Sequence, residues 1–173
     1  MPFLVLLLLG LAPGLAACGF SPLYATRDGD LGASLANVAV EAPDTRLGRD
    51  LKYTLIDNLR AAGTPAATPE YVVKLSPRTY EEDVAIQQDA SVTRKNIVLL
   101  VSFTLARLDE DKPLYRSIAR SRTSYNRVDS EFANIVASED GLQRSTEMVA
   151  EDIKLQLGIY FDGHKTAKRE TAE

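Results

Sequence analysis

Cys18 carries the clearest chemistry in this sequence. It is the only cysteine among 173 residues, which rules out an intramolecular disulfide and any metal centre built on several thiolates. Directly before it stand Leu15, Ala16 and Ala17, one branched apolar residue and two small ones, and the tetrapeptide has the form of a lipobox. Small residues fit the narrow cleft of a signal peptidase, and a thiol is nucleophilic enough to become a stable thioether to diacylglycerol. Further upstream, Phe3 to Leu11 carries no polar side chain, and Pro13-Gly14 sets a turn. The apolar run is shorter than the ~20 residues a membrane-spanning helix needs. Met1-Pro2 lacks the Lys or Arg that usually opens a secretion signal. An uncleaved anchor helix with an inert Cys18 is the competing reading. The preferred one makes residues 1–17 a signal peptide and Cys18 the lipid attachment site. Each buried methylene contributes ~0.8 kcal/mol and a single acyl chain holds only marginally, so the two or three chains of a lipoprotein cysteine anchor stably. The domain is then held on the periplasmic side of a membrane that it never crosses.

Little else points to catalysis. The single His164 lies in a polar C-terminal stretch, which leaves no base for a Ser-His-Asp or Cys-His device, and no Gly-rich phosphate loop occurs. Glu81, Glu82 and Asp83 are adjacent, but consecutive strand residues point to alternating faces and do not converge. The expectation is a chain with no catalytic residue, no metal site and no cofactor. The arginines are more informative. Arg116, Arg120 and Arg122 share one strand parity with Leu114 and Ile118; Arg94 and Lys95 open the facing strand, and Arg107 lies near its end. Guanidinium groups interleaved with aliphatic side chains suit an anionic amphiphile, with forked donors for phosphate and apolar residues for acyl chains. An ordinary solvated sheet face would carry the same pattern. The formal net charge of -4 argues against a nucleic-acid partner.

The elements that must position these residues follow from periodicity. The chain is 45% apolar and 25% charged, and without the signal it has the length of one domain with one core. Residues 18–34 read as a lipidated tether, 35–161 as a single domain and 162–173 as a disordered tail. Residues 35–40 suggest a strand. Asp44 or Thr45 caps a helix whose Leu47, Leu51, Leu55 and Leu59 recur every four residues, with Gly63 as the stop. Residues 71–76 and 79–87 form a strand or strand pair interrupted at Pro77, which implies a bulge or an edge position. Residues 91–108 and 114–125 form a long hairpin about a turn at 109–112, with Ile97, Leu99, Val101, Phe103 and Leu105 on one face. A short helical turn at 132–136 precedes a longer helix capped by Ser138, with Gly141 near its start and Leu142, Val149, Ile153, Leu157 and Tyr160 as its stripe. The order β-α-β-β-β-α gives an α+β fold: two helices packed on one face of a small four-stranded, largely antiparallel sheet, with the other face partly free.

Three stretches carry a family resemblance. Cys18-Gly-Phe-Ser-Pro-Leu-Tyr24 resembles the opening of mature lipopolysaccharide-assembly lipoproteins of the LptE family. Thr93-Arg-Lys-Asn-Ile-Val-Leu-Leu-Val-Ser-Phe-Thr-Leu105 resembles that family's central strand. Ser124-Tyr-Asn-Arg-Val-Asp-Ser-Glu-Phe-Ala-Asn-Ile-Val-Ala-Ser-Glu-Asp140 resembles its lead into the C-terminal helix. With the element order, the resemblance spans essentially the whole mature chain. It implies a non-enzymatic outer-membrane lipoprotein that sits in the lumen of an LptD-type β-barrel, as plug and assembly partner, while lipopolysaccharide passes to the cell surface. Some members bind lipopolysaccharide directly through basic residues. Cys18 carries over as the lipid site; Arg116, Arg120 and Arg122 are candidates by parity and charge, without a motif match. A free lipid-binding or chaperone lipoprotein shares the anchor but needs an enclosed apolar cavity.

Overall fold

The computed structural model describes residues 30–60, 68–85, 93–110 and 112–170. The signal at 1–17, Cys18, the motif through Tyr24 and the helix stop at Gly63 lie outside the described residues.

Helix α1 (Asp30–Ala36) leads into strand β1 (Val38–Glu41). Residues 30–34, read from composition as tether, and the start of the strand expected at 35–40 are therefore helical. The reason is a pattern four residues apart: Leu31 packs at the edge of the core and Leu35 is fully buried within it. Helix α2 (Arg46–Arg60) follows. Thr45 caps it, its Oγ1 accepting from the Gly48 amide at 3.0 Å and its carbonyl from the Arg49 amide at 2.9 Å. Leu51, Leu55 and Leu59 bury the expected stripe. Gly48 lets the helix start close against the preceding chain, since a Cβ there would lie 2.1 Å from the Pro43 carbonyl oxygen.

Three strands of equal length complete the sheet: β2 (Tyr71–Ala85), β3 (Thr93–Arg107) and β4 (Pro113–Arg127). Their order is β1-β2-β3-β4. β1 runs parallel to β2, with Val40 opposite Val73, and α2 is the crossover that a parallel pair requires. The other pairs are antiparallel, with Leu75 opposite Phe103 and Val101 opposite Ala119. β2 is one strand through Pro77, not two segments. β1 pairs only as far as Lys74, so Pro77 stands where the outer side of β2 has no neighbouring strand among the described residues. A missing N–H costs nothing in the ladder there.

Helix α3 (Glu131–Glu170) is a single 40-residue helix, ~60 Å long. It joins what periodicity divided at Ser138 and continues through 162–170, in place of the expected tail. Ser130 caps it: its Oγ accepts from the Ala133 amide at 3.4 Å and its carbonyl from the Asn134 amide at 3.1 Å. The Ser138 hydroxyl instead donates to Glu81 Oε1 at 3.4 Å. The three helices of the described residues lie on one face of the sheet. The core between them holds Leu35, Leu51, Leu55, Leu99, Phe103, Leu105, Ile153 and Leu157. At one end the rings of Phe103, Tyr115, Tyr160, Phe161 and Tyr71 stack in sequence, with centroids 5.1–5.9 Å apart.

Candidate functional site: the uncovered sheet face

Strand alternation sorts the side chains of β2, β3 and β4 into two sets. Odd residues of all three strands face the helices: Val73, Leu75, Leu99, Val101 and Phe103 are buried there, together with Ala119. Even residues face away. The pairing registers align them in rows across the sheet: Lys74, Thr104 and Arg116; Ser76, Ser102 and Ile118; Arg78, Leu100 and Arg120; Tyr80, Val98 and Arg122; Glu82, Asn96 and Ser124. Two successive rows thus set an aliphatic residue in the middle with arginine on one side or both. Cross-strand spacing places Arg78 and Arg120 ~10 Å apart at the backbone. Val98 is fully buried although it is on this face; its neighbours across the sheet are Tyr80 and Arg122, whose long side chains can cover it. Ile118 is 60% exposed, an apolar side chain set among cations.

The charge on this face is mostly positive. Among the paired strand residues, Lys74, Arg78, Arg94, Arg116, Arg120 and Arg122 lie on it against two carboxylates, Glu41 and Glu82, and Glu110 joins Lys74 and Arg116 around a pocket at its end. Glu82 meets Arg122 at 3.1 Å and Glu41 meets Lys74 at 4.0 Å. Arg78, Arg94, Arg116 and Arg120 have no acidic partner among the described residues. Guanidinium groups of this kind are ready to take up phosphate or carboxylate in a forked geometry.

The structure thus brings together Arg116, Arg120 and Arg122, as parity implies, and adds Arg78, which the sequence reading missed. Pro77 reads as a break in the strand, and that break hides the shared parity of Arg78. Leu114 leaves the stripe, since it falls at the pairing irregularity between Pro113 and Tyr115. Lys95 and Arg107 also leave it: both sit on the helix face, Lys95 against Glu81 at 3.2 Å and Asp83 at 3.7 Å, Arg107 against Glu70 and Glu110 at 3.9 Å each. The three carboxylates at 81–83 do not converge. Glu81 and Asp83 face the helix side and Glu82 the open side. Among the described residues no group of three His, Cys, Asp or Glu could hold a metal ion, and no helix is long and apolar enough to cross a membrane.

Glu81 organises the far end of the helix side. One carboxylate oxygen accepts from Lys95 Nζ and the other from the Tyr125 hydroxyl at 3.1 Å and from Ser138. The hydrogen bond to Glu81 and then its charge raise the Lys95 pKa. Tyr125 is raised by burial first, then by the same carboxylate. Between α2 and α3 runs a groove of about 820 Å³ whose walls include Asp50, Asp57, Glu139, Asp140 and Glu147, with Arg46 as its one cation. The groove and the open sheet face therefore carry opposite charge.

No protein-family model and no curated protein matches the chain. Solved structures do. A protein described as a lipoprotein from Caulobacter crescentus CB15 superposes with a TM-score of 0.62 at 21% identity, over 77% of this chain and 96% of that one. A minor lipoprotein from Acinetobacter baumannii gives 0.57 at 18% identity, over 70% and 91%. The rare lipoprotein B of Shewanella oneidensis gives 0.51 at 13% identity, over 79% and 98%. At these identities what is shared is the fold, a four-stranded sheet covered on one face by helices.

Proposed function

We propose that this chain is a non-enzymatic lipoprotein, anchored through Cys18 to the periplasmic side of the outer membrane. There it assembles with and plugs a lipopolysaccharide-translocating β-barrel of the LptD type. The observation that carries the reading is the open sheet face, where Arg78, Arg116 and Arg120, without acidic partners among the described residues, flank exposed Ile118 and half-buried Leu100. A lipopolysaccharide offers the complement, phosphates beside acyl chains. The Leu15-Ala16-Ala17-Cys18 sequence and the resemblance to LptE lipoproteins support the anchor and the partner. Three structural neighbours described as lipoproteins support the anchor as well. A compact domain with one polar, cationic face can fill a hydrated barrel lumen and line one wall of a path for an anionic lipid. The lipid anchor confines both partners to one membrane and so raises their effective concentration.

A free lipid carrier is the competing reading, and the groove between α2 and α3 speaks against it. Its walls are acidic, and carboxylates repel the phosphates of an anionic lipid. Mild-detergent solubilisation of tagged protein from outer membranes is expected to bring down a large β-barrel. Recovery of the chain with lipid and without a barrel sinks the plug reading and favours the carrier. Replacing Arg116, Arg120 and Arg122 together by Glu is expected to weaken lipopolysaccharide binding by more than about tenfold, since three charge-assisted contacts become repulsions. Unchanged binding returns the three arginines to an ordinary solvated face.

A further inference from the structure

The sheet has two long outer edges, and they are built differently. Hydrogen bonds at the start of β2 fix which residues address which side. The Tyr71 amide donates to the Asn37 carbonyl on the β1 side at 3.2 Å, and the Glu70 carbonyl accepts from the Leu108 amide on the β3 side at 3.0 Å. Odd residues of β2 therefore point their backbone groups outward, and Pro77 is one of them. Opposed residues in an antiparallel pair either exchange both bonds or neither, in alternation. Pro77 faces Val101, and Val101 faces Ala119, so the bonds that Val101 does not make to Pro77 go to Ala119. Odd residues of β4 are thus bonded into the sheet, and its even residues turn N–H and C=O to the outside. The Gln156 side chain confirms the phase, its Nε2 donating at 3.5 Å to the Ile118 carbonyl.

The two edges now contrast. The outer side of β2 loses its donor at Pro77 and is broken by the register shift at Asp83/Ala85, devices that block pairing with another strand. The outer side of β4 has neither between Tyr115 and Arg127, where pairing to β3 runs without interruption. Its outward donors belong to Arg116, Ile118, Arg120, Arg122, Ser124 and Asn126. Added strand side chains on the open face would stand beside three arginines. A second copy of β4 would set arginine against arginine, which destabilises a ladder; acidic residues there stabilise it.

We propose that the β4 edge is a strand-addition site for an extended segment of a partner chain, one with acidic residues at alternate positions. The backbone supplies the ladder and the arginines select the sequence, the usual division of labour in β-augmentation. The site does not depend on lipopolysaccharide binding or on the barrel assignment.

The test uses the full chain in detergent and a synthetic peptide of alternating Thr and Glu, about ten residues long, the length of a typical strand. Amide hydrogen exchange at Arg116, Arg120, Arg122 and Ser124 is expected to slow on adding the peptide, with exchange at Thr79 on the β2 edge unchanged. A copy of the peptide N-methylated at alternate amides keeps its charge but is expected to give no protection. Arg120→Glu is expected to weaken binding by about fivefold, and Arg120→Pro, which removes one outward donor, to abolish protection at its neighbours. If Arg120→Pro does not fold, the N-methylated peptide asks the same question of the intact chain. Equal binding of the methylated peptide, or no slowed amide along β4, overturns the proposal.

Discussion

Glu81 shows how one carboxylate can tie together four elements. It lies on β2 and accepts from Lys95 on β3, Tyr125 on β4 and Ser138 on α3. Both titratable partners have raised pKa values, Lys95 by the hydrogen bond and charge of Glu81, Tyr125 chiefly by burial. The sign of the pH dependence follows. A raised folded pKa means that the folded state keeps its proton after the unfolded chain has lost it, so stability falls as pH rises. That contribution is fully present below the unfolded values, 10.5 for Lys95 and 10.0 for Tyr125, and is lost as pH climbs through the folded ones. Urea midpoints measured from neutral pH to about pH 11 are expected to drop at the alkaline end, and less steeply in Glu81→Gln. An identical alkaline slope in the two chains removes Glu81 as the cause. The sequence showed only three adjacent carboxylates with alternating directions. Its alternation was legible; the Lys95 and Tyr125 partners were not, because they come from strands whose register a single sequence does not specify.

Helix α3 and β4 pack closely because their contact positions are small and polar. Thr123 Oγ1 donates to the Gly141 carbonyl at 2.8 Å, Ser121 Oγ to the Ser145 carbonyl at 3.1 Å, and Thr123 and Ser145 share a hydroxyl contact at 2.8 Å. A Cβ at Gly141 would come within 2.9 Å of Ile97 Cδ1. Alanine there gains ~1 kcal/mol of helix propensity against a contact that the tip of Ile97 can relieve, so Gly141→Ala is expected to be near neutral. Gly141→Val adds branches with less room to move and is expected to cost ~1–3 kcal/mol, read as a lower urea midpoint. Equal midpoints for Val and wild type mean that the approach is not tight. Gly141 and Ser138 led periodicity to place a helix boundary where the helix runs straight through. The glycine marks close packing against a strand, which only the tertiary structure reveals. The hairpin was legible by contrast, since period two over Ile97 to Leu105 admits one burial pattern. Arg78 was hidden for a similar reason: Pro77 reads as a break, and it becomes harmless only because β1 is four residues long.

At the scale of the molecule, arginines gather on the bare sheet face and carboxylates line the helix-side groove, so a net charge of -4 conceals a cationic surface. With a lipid foot at Cys18 the chain would then have two ways to hold a membrane, and salt separates them. Acyl insertion is hydrophobic and survives high ionic strength, while attraction between exposed arginines and lipid phosphates is screened beyond ~3 Å at 1 M salt. Wild-type chain is expected to stay in the membrane fraction through a wash at about 1 M salt. Cys18→Ala is expected to appear in the soluble fraction under the same wash, since no helix among the described residues can take the place of the anchor. At low salt, part of Cys18→Ala is expected to remain on membranes through the open face, and this part should vanish when Arg116, Arg120 and Arg122 are also replaced by Glu. If Cys18→Ala resists the high-salt wash, a different anchor holds the chain, and the lipidation proposal fails whatever the arginines do.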